Sequence, residues 1–171
     1  MNRSVAEFTR LVPLSRLGPE PFRQRIVAGE SERAALSRRF DLVSLGRLEA
    51  EVELGREAAG TILLSATFAA EFEQECIVTL DPIAGSASER FQLRYGPPEA
   101  EAEAPAGDDD PAFEPLDGEA IDIGEAVAQE FSLCLPPFPR SPDAAIEVGE
   151  SGETDDGRFA ALAKFRRREP H

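Results

Sequence analysis

Between Leu48 and Leu80, apolar residues recur at alternate positions. Leu48, Ala50, Val52 and Leu54 alternate with Glu49, Glu51 and Glu53. After a turn over residues 55–60 the pattern resumes with Ile62, Leu64, Ala66, Phe68, Ala70 and Phe72, and its parity carries on through Cys76, Val78 and Leu80. Successive side chains on a strand point to opposite faces, so this chain must form strands with one buried and one wet face. The second run is about 19 residues long, beyond an ordinary strand. It predicts a bend or bulge near residues 71–75, where the wet face turns acidic.

Shorter strands are expected on either side. Residues 6–12 read as one, followed by a loop that Pro13, Gly18, Pro19 and Pro21 impose. Residues 22–27 read as another, with Phe22, Gln24 and Ile26 on one face. A last strand is expected after Gly85, with Phe91, Leu93 and Tyr95 inward and Arg90, Gln92 and Arg94 outward.

Two segments switch to helical spacing. Over residues 29–42, Ser31 is the expected N-cap, Glu30 and Glu32 suit the positive end of the helix dipole, and Arg38 and Arg39 suit the negative end. Ala35, Leu36 and Phe40 form a narrow apolar stripe that leaves Arg33, Arg38 and Arg39 facing solvent. Over residues 122–135, Asp122 and Glu125 have capping-box spacing. Ile123, Ala126, Val127, Phe131, Cys134 and Leu135 share a face, and Pro136 and Pro137 end the helix.

Residues 96–118 are rich in proline and acid, with too little apolar surface to offset the entropy of ordering. The organisation predicted is a single domain of the α+β class, a curved antiparallel sheet or partly closed barrel with two to three helices. Residues 1–96 supply the sheet and a helix. Residues 97–120 form a disordered acidic linker, and residues 121–171 return a helix and a C-terminal docking segment to the same domain.

The net charge is −15, from 33 acidic and 18 basic residues. Charge of that size repels phosphate backbones at long range and attracts basic proteins, such as ribosomal proteins. It is unevenly placed. Residues 99–156 hold eighteen acids against one base, Arg140, whereas residues 1–47 hold nine arginines against five acids. Solvation of acidic loops is the simpler account of this layout.

Candidate sites are few. His171 is terminal, and a catalytic base needs held geometry. Asp108, Asp109 and Asp110 adjoin one another in the linker, where neighbouring carboxylates cannot converge on a cation without a scaffold. If they act, contact with a basic partner suits them best. Arg33, Arg38 and Arg39, with Lys164, Arg166, Arg167 and Arg168 of the tail, are the candidate contacts for RNA phosphates or a partner, against the plainer reading of a solvated helix face and tail. Cys76 and Cys134 are expected to be buried thiols in a reducing cytosol. No catalytic residue, metal, cofactor, small-molecule substrate or membrane span is indicated, and a cytoplasmic location is expected.

Four stretches in order resemble the YceD-like family of bacterial proteins, a domain of unknown function linked to accumulation of large-subunit (23S) ribosomal RNA. They are Ser31-Glu32-Arg33-Ala34-Ala35-Leu36-Ser37-Arg38-Arg39-Phe40; Cys76-Ile77-Val78-Thr79-Leu80-Asp81-Pro82-Ile83, read as lying inside the central strand; the helix over 122–135 running into Pro136-Pro137-Phe138-Pro139; and Arg158-Phe159-Ala160-Ala161-Leu162-Ala163-Lys164, which is similar to an Asn-Pro-Phe-Ala-x-Leu-Ala ending. Many members of the family place two cysteines three apart in the second stretch, a pair suited to zinc. Here Glu73 takes the first position, as in members of the alphaproteobacterial type, and no metal is implied. The resemblance implies a non-enzymatic role in synthesis, processing or stability of large-subunit rRNA. The partner would be a ribosomal protein, an rRNA precursor or an rRNA-processing factor. The rival reading is an adaptor that binds a basic protein such as a ribosomal protein and never touches RNA.

Overall fold

The computed structural model describes residues 7–57, 60–103, 110–116 and 118–144. One compact unit spans Met1–Ser141 and holds every element described below; a second spans Pro142–His171.

Five strands form the main sheet in the order β2-β3-β4-β5-β6: β2 (Phe22–Val27), β3 (Ser44–Arg56), β4 (Ile62–Glu75), β5 (Pro82–Gly96) and β6 (Ala112–Pro115). The first three pairings are antiparallel, and β6 runs parallel to β5. A separate ribbon pairs β1 (Leu11–Pro13) with β7 (Ala120–Asp122). Two helices, α1 (Glu30–Arg39) and α2 (Ile123–Leu133), complete the α+β fold. The sheet is mixed and remains open.

The period-two pattern does its expected work. Leu48, Ala50, Val52 and Leu54 of β3 and Ile62, Leu64, Ala66, Phe68, Ala70 and Phe72 of β4 are all buried. Both helices cover this face. Phe131 of α2 lies edge-on to Phe68 and Phe72 of β4, at 6.3 and 5.6 Å, and to Phe40 at the end of α1, at 5.9 Å. The other face of the sheet carries the charged side chains.

Several expectations are corrected. The bulge lies in β3, not β4: the register with β4 shifts between Leu45 and Arg47, so Leu45 and Leu48 both point inward. β4 stops at Glu75, and residues 76–80 form the turn into β5 instead of extending the strand. β5 begins at Pro82, so Gly85 lies inside it. Phe72 pairs with Gly85 across the ladder, and a Cβ there would stand 2.6 Å from the Phe72 ring. The glycine makes room for the aromatic ring.

Part of the expected linker is ordered. Residues 98–103 form 3₁₀ turns, and β6 joins the sheet edge. Phe113 supplies the apolar surface that composition averaging hides, since a Cβ on Gly96 would meet its ring at 3.1 Å. At α1 the N-cap is Gly29, whose N–H donates to the Glu32 carboxylate at 2.7 Å, and Ser31 falls inside the helix. At β1 the strand covers only Leu11–Pro13, while Glu7 and Phe8 form a turn.

Candidate binding groove

The arginines of α1 do not form one cationic face. Arg39 lies against α2, where its guanidinium donates to both Glu125 oxygens at 2.6 and 2.9 Å and to Glu7 at 3.0 Å. These partners raise its pKa further. Arg33 donates to the carbonyl of Ala28 at 2.7 Å, and Arg38 is exposed. Arg38 and Arg39 are exposed as expected and Arg33 is half-buried, but Arg39 is spent on ion pairs and ties the two helices together. Asp110 is exposed. Asp108, Asp109, Lys164, Arg166, Arg167, Arg168 and His171 lie outside the described residues. Among the described residues no group of three or more metal-ligating side chains converges, and no helix is long and apolar enough to cross a membrane.

On the open sheet face a trough of about 440 Å³ runs over β4 at residues 65–67, where Ser65 and Thr67 present small side chains. Its charged walls are partly paired: Arg23 bonds Glu53 at 2.7 Å within the lining, and Arg25 bonds Glu49, outside it, at 2.9 Å. Exposed pairs of this kind contribute little to stability, but they occupy Arg23, Arg25 and Glu53 of the lining.

A different arrangement occurs at the turn that follows β4. Residues 76–80 close on themselves through Leu80 N–H to Cys76 O at 2.9 Å and Cys76 N–H to Asp81 O at 2.8 Å, with Leu80 in the left-handed region at φ 61°. The turn also grips the proline run that ends α2. Ile77 N–H donates to Pro139 O at 3.0 Å, Gln74 Nε2 to Pro136 O at 3.2 Å, and Ser141 N–H to Cys76 Sγ at 3.4 Å. Two of the stretches singled out in the sequence, 76–83 and 136–139, thus form one structure.

Cys76 is fully buried at its centre. Its sulfur accepts from the N–H of Ser141 and, at 3.5 Å, of Thr79. Hydrogen bonds to the charged form favour it, led by that of Ser141, and they pull the thiol down to about 7. Cys134, half-buried near the carboxylates of Glu89 and Glu130, is pushed up, chiefly by burial. Both thiols are free.

Between turn, proline run and the end of α1 lies a groove of about 510 Å³. Phe40, Ile77, Leu135, Pro136, Pro137 and Pro139 give it apolar walls, and Gln74, Ser132, Asp41 and Glu75 add polar groups. Two of its ten lining residues are carboxylates and none is a cation. This site is hidden in the sequence because the strand parity of Cys76, Val78 and Leu80 puts Ile77 on the wet face of an extended strand. The available signal was Asp81-Pro82, a turn-forming pair.

A family model, described as "Large ribosomal RNA subunit accumulation protein YceD", matches residues 64–166, more than half of the chain. The match begins in β4 and includes the turn and the proline run, but not Phe40 and Asp41 of the groove lining. Stretch 31–40, in α1, falls outside it. No curated protein and no solved structure matches the chain significantly.

Proposed function

We propose, because this chain belongs to the YceD family of large ribosomal RNA subunit accumulation proteins, that it sustains 23S rRNA as a non-enzymatic biogenesis factor. It acts in the cytoplasm by holding a ribosomal protein, an rRNA precursor or an rRNA-processing factor. The observation that carries this reading is the position of the family match. Residues 64–166 contain both the turn after β4 and the proline run, whose hydrogen bonds make one rigid groove. Its lining offers binding chemistry, apolar walls beside two carboxylates. The test is depletion of the protein followed by profiling of rRNA. Loss of mature 23S rRNA or a build-up of its precursors is expected, and unchanged levels of both would overturn the reading.

One observation favours the narrower form, an adaptor that binds a basic protein and leaves RNA untouched. Arg39 is committed to Glu125 and Glu7, and the groove holds no cation to meet a phosphate. Capture of a basic partner that survives nuclease supports this form, and capture lost on nuclease treatment removes it.

A further inference from the structure

The segments that form the groove beside the Cys76 turn also carry exposed large apolar side chains. Ile77 is 54% exposed, Leu80 of the same turn 66%, Phe138 of the proline run 76%, and Leu133 at the end of α2 77%. A lone exposed apolar side chain is ordinary. Ile77 lines the groove itself, and the other three add exposed apolar surface on the segments that form it, a pattern of interaction surfaces.

The walls are fixed before anything binds. Ile77 to Pro139, Gln74 to Pro136 and Ser141 to Cys76 cross between them, and a preformed site avoids the entropy of ordering on association. Three of the four residues in the proline run lack an N–H, so that wall cannot pair as a strand edge. Recognition must go through side chains.

Charge selects the partner. Asp41 and Glu75 are exposed in the lining, and neither has an ion-pair partner among the described residues. Two carboxylates with no cation repel a phosphate backbone and attract lysine or arginine.

We propose that this groove docks an extended cationic segment of a protein partner. An aliphatic or aromatic side chain of that segment seats among Phe40, Ile77 and Leu135, while a neighbouring lysine or arginine reaches Asp41 and Glu75. This rests on the binding-factor reading above and gives it a site and a partner chemistry.

The test uses the full chain and three labelled synthetic peptides, followed by fluorescence anisotropy. One alternates lysine or arginine with leucine, one replaces the cations with glutamate, and one replaces the leucines with serine. A single-stranded uridine oligonucleotide serves as the RNA probe. The first peptide is expected to bind about tenfold or more tightly than either control. Ile77→Ser, Phe138→Ala and the pair Asp41→Asn with Glu75→Gln should each weaken it several-fold with the melting curve unchanged, and Arg90→Ala on the open sheet face should leave it intact. Equal binding of all three peptides, groove variants that bind like the wild type, or displacement of the peptide by the oligonucleotide would each overturn the proposal.

Complementation separates this proposal from the reading beneath it. In depleted cells the groove variants should fail to restore 23S rRNA. Full restoration removes the groove from the function while the biogenesis role stands. If depletion itself leaves 23S rRNA unchanged, the biogenesis role falls and the peptide titrations alone decide the groove.

Discussion

Arg39 of α1 and Glu125 of α2 are joined by two parallel hydrogen bonds, 2.6 and 2.9 Å long, across 86 residues of sequence. The side chains are only 30% and 22% exposed, so water screens the pair less than a surface bridge. A double-mutant cycle with Arg39→Ala and Glu125→Ala should give a coupling of about 1–2 kcal/mol by urea denaturation. Arg39→Lys should recover little of it, because an ammonium cannot match both carboxylate oxygens. Coupling near zero would show the fork to be incidental to stability.

Acid should unfold the protein through its paired glutamates. Hydrogen bonds from Arg10 to Glu32, from Arg94 to Glu57 and from Arg39 to Glu125 hold those three carboxyls below the ordinary value of 4.5. A carboxyl whose folded pKa is depressed adds stability above its unfolded value and loses it as pH falls through the folded one. Relief of the net charge of −15 opposes this loss. The melting temperature should therefore change little from pH 7 to about 5 and drop below about 4.5. Glu125→Gln should be less stable than the wild type at pH 7 and approach it at the acid end. A constant gap across the titration would remove the linkage.

The parts legible in the sequence are those where a local rule meets no competitor. β2 has the bounds that its flanking breakers predict, and α2 begins at Asp122, whose Oδ1 accepts from the N–H groups of Gly124 and Glu125. Of the capping box only the Asp122 half forms: Glu125 turns outward to Arg39, and the N–H of Arg10 adds a third donor to the same Asp122 Oδ1. What stayed hidden depends on partners distant in sequence. Gly85 reads as a strand end until Phe72 is placed over it. Cys76, Val78 and Leu80 keep strand parity although the chain is already turning. Phe113 orders four residues inside an acidic tract whose average composition denies it. For the groove, each wall is a distinct stretch of sequence, and nothing local to either wall reports that Ile77 donates to Pro139.

The Cys76 thiol gives an alkaline signature. Its pKa lies at about 7, against 9.0 for a free cysteine. Between those values the unfolded chain binds the proton and the folded chain does not, so stability rises with pH across that window. In a Cys134→Ser background, thiolate absorbance should titrate near pH 7, and the melting temperature should climb modestly from pH 7 to 9. Cys76→Ala should abolish both. A thiol that titrates at the free value would mean that the N–H groups of Ser141 and Thr79 do not stabilise the thiolate.

Gly124 tests whether helix propensity or packing governs the start of α2. In an open helix, glycine to alanine gains about 1 kcal/mol. Here a Cβ would stand 2.0 Å from the carbonyl oxygen of Phe8 and 3.1 Å from the nitrogen of Arg10. That backbone is pinned to the same helix end, with Arg10 N–H on Asp122 at 2.7 Å and Ile123 N–H on Arg10 O at 3.1 Å. Neither the ribbon nor the helix can retreat without breaking those bonds, so Gly124→Ala should destabilise by about 3 kcal/mol or more. Gly18, with nothing within 4 Å of its would-be Cβ, is the control. Its alanine variant should be neutral or slightly stabilising, because the substitution mainly restricts the unfolded chain. Chemical denaturation of the two variants decides the matter, and a stabilised Gly124→Ala would mean that α2 does not press on the Phe8 backbone.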